Sequence, residues 1–334
     1  AYLKPARDRK NLTVITHAQA EKLLIKDGRT TGVTVNIKGA SQDIMARREV
    51  ILSAGTIGSP QILMLSGVGA ADELKQQGIT VVHNLPGVGK NLQDHLQARP
   101  VFKTDLSTIN IETNNLLKQG MIALQYALTQ TGPMTMAASL GTAFLKTDPT
   151  LDTPDIQFHI QPFSASAPAD GPHKFSAFTA SVLQMRPEST GHIALKSANW
   201  RDHPAIHPNY LATKLDQDTI VKGIQIARKI AQFEPLKAHI TEEFTPGSSV
   251  ALDDYDATLT WARDNSVTIY HPTGTCKMGQ DDMAVVDARL RVHGIKGLRV
   301  ADCSIMPTIT SGNTNAPAIM IGEKISDMIL EDAK

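Results

Sequence analysis

The chain has 334 residues, of which 41% are hydrophobic, 20% charged and 4% aromatic, and its 33 Lys and Arg balance 33 Asp and Glu. This is the composition of an ordinary globular protein of one large or two average domains, not of a disordered or highly charged chain. Zero net charge and few aromatic rings argue against a nucleic-acid surface, and no apolar run approaches the roughly 18 residues of a membrane span.

In chain order, LTVIT (Leu12–Thr16) reads as a short strand. Ala20–Ile25 and Thr31–Ile37 flank the turn Lys26-Asp27-Gly28-Arg29, a hairpin signal because glycine accepts the positive φ of such turns. EVILSAG (Glu49–Gly55) is apolar throughout, as in a parallel strand buried on both faces. It runs into Ser59-Pro60, where serine can cap a helix and proline suits its first turn; Gly67 is placed to end that helix. The pairs Gly67-Val68-Gly69 and Gly87-Val88-Gly89 lack the third glycine of GxGxxG and read as turns. Nowhere does this sequence carry a phosphate-binding glycine loop of that kind.

Residues Arg99–Ser266 read as a separate antiparallel α+β unit, with Pro154–Gln161, Ser176–Met185 and Gly191–Ser197 as strands. Asp216–Gln232 carries Ile220, Ile224, Ala227 and Ala231 at helical spacing, with Asp216 as the expected cap. The loop Ser164–His173 is rich in Pro, Ala and Gly and reads as a surface loop or a lid. Gly297–Ser304 is a strand ending at Asp302. A helix with the stripe Ile321, Ile325, Met328 and Ile329 follows, starting near Pro317 after Asn315. A chain that leaves one unit, builds another and returns places a cleft between them.

Two segments carry chemistry: HPTGTCKMG (His271–Gly279) and SGNTNAPAIMIGEK (Ser311–Lys324). A histidine near neutral pKa can take a proton, and an asparagine at the mouth of a helix can steady a developing oxyanion. The two cysteines, Cys276 and Cys303, form no disulfide framework and point to a reduced, cytoplasmic setting. Cys276 lies five residues after His271, but the further close ligands of a zinc site are missing, so no metal is expected. His95 reads as a structural residue near the junction of the two units.

With Gly55–Gly69 and Leu85–His95, these segments resemble the glucose–methanol–choline (GMC) family of flavin-dependent alcohol oxidoreductases, in the family's order and over essentially the whole chain. Within the family the likeness is to choline and aliphatic-alcohol dehydrogenases, and it favours a dehydrogenase over an oxidase. It implies α/β plus α+β architecture: an incomplete FAD-binding Rossmann-like domain (1–98 and the returning segment 283–334) with an inserted antiparallel-sheet substrate-binding domain (99–282). It implies FAD as cofactor, His271 as catalytic base and Asn315 as the second active-site group. Ala54, Gly55, Ala301, Asp302, Asn313 and Thr314 would line the flavin, and Ala20 would approach the adenine. The partners implied are a small alcohol and a quinone or dye-like electron acceptor, with a homo-oligomer allowed and the location cytoplasmic or peripheral on the inner membrane. The family's N-terminal GxGxxG segment is missing here, so the resemblance implies a C-terminal fragment, inactive and weak in FAD binding by itself. A non-catalytic binding or assembly module is the alternative. If choline were the substrate, Phe158, Phe163, Phe175 and Phe178 would be candidates to cage its ammonium, although core packing explains them equally well.

Overall fold

The computed structural model describes residues 2–136, 139–166 and 171–333. After a single helical turn, α1 (Leu3–Ala6), the segment Leu12–Thr16 is not a strand. Among the described residues it pairs with no strand, and Val14 and Ile15 stay half exposed. The expected hairpin forms as β1 (Ala18–Lys26) and β2 (Arg29–Ile37), and β3 (Ala40–Met45) adds an unforeseen third antiparallel strand. β4 (Val50–Leu52) leads into α2 (Gly55–Leu65), followed by β5 (Val68–Gly69), α3 (Ala71–Gln76) and β6 (His83–Asn84). Val68–Gly69 is thus a short parallel strand against β6 rather than a turn.

α2 begins at Gly55, four residues before the expected cap, and Pro60 lies inside it. A proline there has no N–H for the carbonyl four residues earlier. That carbonyl, Thr56 C=O, is instead satisfied by the Thr275 hydroxyl at 2.6 Å. Ser59 turns its hydroxyl to Asp302 (2.6 Å) and accepts the Ala54 N–H (3.1 Å), so it braces the strand–helix turn without capping. The helix stops as expected: Gly67 has φ of +79° and the Ser66 N–H closes the last turn.

The second unit is a seven-stranded antiparallel sheet. Its strands are β7 (Leu96–Ala98), β8 (Val101–Thr104), β9 (Gly141–Leu145), β10 (Ile156–Gln161), β11 (Ala177–Gln184), β14 (Ile240–Thr245) and β15 (Val267–Thr268). The main order is β14-β8-β11-β10-β9, with β7 pairing β11 and β15 pairing β7. Two helices, α4 (Ile109–Glu112) and α5 (Leu116–Thr129), separate β8 from β9. α6 (Lys214–Ile230) lies on β11, and Ile220, Ile224, Ala227 and Ala231 are all buried in a core with Phe102, Ile156 and Val182. Its cap is Thr213, whose hydroxyl accepts the Asp216 N–H. Asp216 is instead buried and accepts the N–H groups of Glu188 and Ser189 at 2.9 and 2.8 Å. α7 (Tyr255–Asn265) completes this core through Leu259 and Ala262. Phe158 belongs to the core and Phe178 packs on it, stacked with Phe102.

The strand expected at Gly191–Ser197 is real but belongs elsewhere. Among the described residues β12 (His192–Ala194) pairs only with β13 (Ala205–His207), and Ile193 enters the core of the first unit with Leu63, Val68 and Cys276. β16 (Leu298–Val300) lies parallel to β4, and α8 (Asn315–Asp332) lays Ile321 and Ile325 on the same core. Arg299, 4% exposed, ties the unit's ends by pairing with Glu49 (2.7 Å) and Asp332 (2.6 Å). With β16 as its one partner among the described residues, β4 leaves Ile51 40% exposed, so it is not buried on both faces. Within Ser164–His173, residues 167–170 lie outside the described ones. Asn110 anchors the rest by donating to the Ser164 and His173 carbonyls, both at 2.9 Å.

A Cβ at Gly67 would lie 2.3 Å from the Thr80 carbonyl oxygen, on a left-handed backbone. Gly67→Ala is therefore expected to destabilise the chain by more than the roughly 1–2 kcal/mol of the backbone strain alone. The midpoint of urea unfolding checks it; an unchanged midpoint would show that the β5–β6 contact is easily spread.

Candidate active site

His271 follows β15 and is turned inward by Tyr270, which takes a positive φ of 64°. Its backbone N–H donates to Asp94 Oδ1 at 2.9 Å. Asp94 Oδ2 accepts the Tyr210 hydroxyl at 2.5 Å and the Thr268 hydroxyl as well. One buried carboxylate therefore fixes the entry to His271 from three segments. Burial, with the charge of Asp94 added, pushes the Tyr210 phenol well above its ordinary pKa, so it stays a donor.

The residues after His271 are sewn to the first unit. Thr56 donates its hydroxyl to the Pro272 carbonyl (2.7 Å), and Thr273 exchanges backbone bonds with Gln93. Gly274 has φ of +93°, and a Cβ there would meet the Asn91 carbonyl oxygen at 2.3 Å, which explains the glycine of HPTGT. Cys276 is fully buried, and burial raises its thiol pKa, so it packs as an apolar residue. Among the described residues, no group of three His, Cys, Asp or Glu is placed to hold a metal.

The ring hydrogens of the site follow from geometry. His95 Nε2 lies 2.9 Å from the Met185 carbonyl oxygen, which only accepts, so Nε2 carries the hydrogen. Burial holds His95 neutral, bringing its pKa down to about 4, and its Nδ1 is then a lone pair. That lone pair faces His271 Nδ1 at 3.0 Å, a contact that needs a hydrogen on His271 Nδ1. His271 Nε2 is left unprotonated, and Asn313 Nδ2 donates to it at 3.2 Å. Desolvation lowers the His271 pKa, partly opposed by the charge of Asp94.

Nε2 and Asn313 border a cavity of about 500 Å³ whose wall includes Gln97, Arg99, His159 and Phe163. His159 Nε2 is buried without a hydrogen-bond partner, and burial and His271 both lower its pKa. Of the four phenylalanines, Phe163 alone lines the cavity among the described residues; Phe175 packs with His173 and Phe244.

Most of the expected residues converge. Ala54 and Gly55 form the turn into α2, and the Gly55 N–H donates to Asp302 Oδ2 at 3.0 Å. Asp302 Oδ1 accepts the Ser304 N–H at 2.8 Å, so this carboxylate braces the turn with both oxygens. Ala301 continues the β4–β16 pairing through Leu52 (2.8 Å), and Thr314 caps α8. Ala20 lies in β1 opposite Val35, against the first core. Of the two asparagines, Asn313 Nδ2 lies against His271 Nε2 and Asn315 is the first residue of α8; both are exposed. Asn315 lies beyond the loop, where the chain has already turned into the helix. His95, read as merely structural, is bonded to His271. Its signal was a polar run, Gln93-Asp94-His95, between Leu92 and Leu96. Tyr210 and Thr268 had no signal in the sequence.

Residues 1–97 match the N-terminal and residues 187–322 the C-terminal profile of the family described as GMC oxidoreductase. The chain belongs to the GMC oxidoreductase family. It is 40% identical to an alcohol dehydrogenase [acceptor] of Pseudomonas putida, over 99% of this chain and 60% of that protein. It is 41% identical to an oxygen-dependent choline dehydrogenase of Ectopseudomonas mendocina, over 98% of this chain and 58% of that one. A solved formate oxidase superposes with a TM-score of 0.91 at 28% identity, over 98% of this chain and 62% of that chain. The chain thus spans about 60% of the length of the curated relatives it matches.

The neutral buried histidines set a pH dependence. His95 has its pKa lowered from 6.5 to about 4 by folding, so between those values the unfolded chain binds a proton that the folded chain does not. Stability should fall as pH drops through that window, and His95→Gln should flatten part of the fall. Chemical denaturation at several pH values measures it; identical pH slopes in both proteins would mean that His95 is not neutral in the fold.

Proposed function

We propose that this chain, with FAD, oxidises a primary alcohol to an aldehyde, His271 taking the hydroxyl proton. The observation that carries the reading is the unprotonated His271 Nε2 at the wall of the cavity, whose lone pair the Asn313 N–H occupies until an alcohol takes its place. The residues fit a flat ring system. An added Cβ at Gly55 or Gly312 would meet nothing within 4 Å, which leaves open space over both backbones. The first turn of α8 adds a partial positive charge worth about 0.3–1 kcal/mol. Ala54, Gly55, Asn313 and Thr314 would hold the ring end. The pyrophosphate finds few donors here, so weak binding of FAD by this chain alone is expected. When bound, FAD supplies the hydride acceptor.

The chain's own part is proton handling. The alcohol O–H bond breaks as Nε2–H forms, and the imidazolium keeps its Nδ1–H on His95 while Asp94 steadies its charge. Asn313 donates to the developing alkoxide, which makes it, rather than Asn315, the second active-site group. The relative named alcohol dehydrogenase [acceptor] supports transfer of the electrons to a separate acceptor, for which a quinone or dye-like molecule is the proposed class.

His271→Ala should slow flavin reduction by at least about 10²-fold. Asn313→Ala should cost on the order of 10²-fold, the scale of a lost oxyanion donor. Asn315→Ala should stay near the parent. Stopped-flow reduction of the flavin-loaded protein measures all three, and a normal rate in the first variant removes His271 from the mechanism. The rate should rise with pH and level off at an apparent pKa below the ordinary 6.5 of histidine, since burial lowers that of His271.

His95 acts through His271 as a positioning residue. His95→Leu should remove the fixed Nδ1–H tautomer of His271, seen by ¹⁵N NMR of the imidazoles, and slow reduction. His95→Gln, whose amide can donate to Met185 and accept from His271, should restore both. An unchanged tautomer in His95→Leu would overturn the relay.

A further inference from the structure

The cavity that holds His271 Nε2 carries a second charged group with no role so far. Arg99, in the link between β7 and β8, lines the same wall as Gln97, His159 and Phe163. Its guanidinium is mostly withdrawn from water, with burial lowering its pKa, and among the described residues it has no hydrogen bond or ion pair. No described residue of that wall is an aspartate or glutamate. Asp94, the nearby carboxylate, faces the other way and already accepts from Tyr210, Thr268 and His271. The remaining ionisable groups of the wall are His159, His271 and Tyr270. Burial favours the neutral imidazole in both histidines. The charge of Arg99 also lowers the pKa of His173 on the adjoining loop. An arginine kept from water without an anion is costly, and it stays charged at any ordinary pH. A ligand that brings its own anion removes that cost, whereas a cation would add like-charge repulsion.

We propose that the alcohol oxidised at this site carries an anionic group, a carboxylate foremost, several atoms from its hydroxyl, and that Arg99 binds that group while the hydroxyl meets His271 Nε2. The proposal rests on the alcohol-oxidation reading and narrows its substrate class. It sets the cavity apart from one built for a quaternary ammonium. Such a cation needs a carboxylate or an aromatic cage, and here Phe163 shares the wall with a guanidinium.

The test compares three alcohols of similar reach, 4-hydroxybutanoate, 1-butanol and choline, with the flavin-loaded protein and its Arg99→Gln and Arg99→Lys variants. The parent should prefer 4-hydroxybutanoate in kcat/KM over either other alcohol by about 10-fold or more, the scale of one charge-assisted hydrogen-bonded pair. Arg99→Gln should raise KM for the carboxylate by a similar factor, with kcat and the 1-butanol kinetics little changed, and Arg99→Lys should recover part of the loss. Preference for choline or 1-butanol overturns the proposal. So does an equal loss on all three alcohols in Arg99→Gln, which would assign Arg99 to the cofactor or the fold. If no alcohol reduces the flavin, the alcohol-oxidation reading fails. The anion site is then judged by titrating 4-hydroxybutanoate against the imidazole NMR signals of His159 and His271 in the 334-residue chain. Shifts present in the parent and absent in Arg99→Gln sustain the anion site. No shift in the parent removes it.

Discussion

A buried carboxylate, Asp94, holds together three stretches that are remote in sequence: Tyr210 before α6, Thr268 at the end of β15, and the backbone of His271. Its neighbour His95 reaches the ring of the same histidine. Two consecutive residues therefore set both the main chain and the tautomer of His271. This is economical because a buried carboxylate is tolerable only with several donors, and these donors are the segments that must meet to form the site. A further consequence is directional. With Nδ1–H committed to His95, the only basic atom of the ring is the one facing the cavity.

Much of the fold was legible from local chemistry. The β1–β2 hairpin, the stop at Gly67, the α6 stripe and the return through Asp302 into α8 all arise from short-range rules of periodicity, turns and caps. The failures share a cause. Leu12–Thr16 is apolar enough for a strand but finds no partner, and pairing is a long-range property that periodicity does not record. β12 resembles the strands around it, yet Ile193 is buried in the other unit because the connection swings back over α2. The start of α2 was misplaced because a proline inside a helix is normally forbidden. The compensating donor, Thr275, is 219 positions away in sequence.

The site was legible where residues cluster in sequence and obscure where it depends on a side chain's direction. His271 stood out from HPTGTCKMG. The resemblance gave Asn313 to the flavin and Asn315 to the reaction; in the fold Asn315 opens α8, while Asn313, still in the loop, reaches the ring nitrogen. Asp302 looked like a group for a ligand because it tips a strand. In the fold its oxygens are taken by Gly55, Ser59 and Ser304. These bonds hold the Ala54–Gly55 turn in shape.

The two sides of His271 differ in how firmly they are built, and the difference has a chemical logic. Toward the first unit, Thr56, Thr275, Asn91 and Gln93 tie the His271–Thr275 stretch through hydrogen bonds to main-chain atoms, Asn91 through the Gly274 carbonyl. The distance between the imidazole and the Ala54–Gly55 turn is thereby fixed by a short, closed network. A base must be held to within a fraction of an ångström of the atom it serves, and such a network achieves that. Toward the second unit the cavity wall is made of side chains: Gln97, Arg99, His159 and Phe163. Changing one of them alters what fits without moving His271, because none is part of the network that places it. On the proposed reading, reaction geometry rests on backbone contacts shared by both units, and substrate choice on side chains of the antiparallel sheet and its loops, Gln97, Arg99, His159 and Phe163 among them.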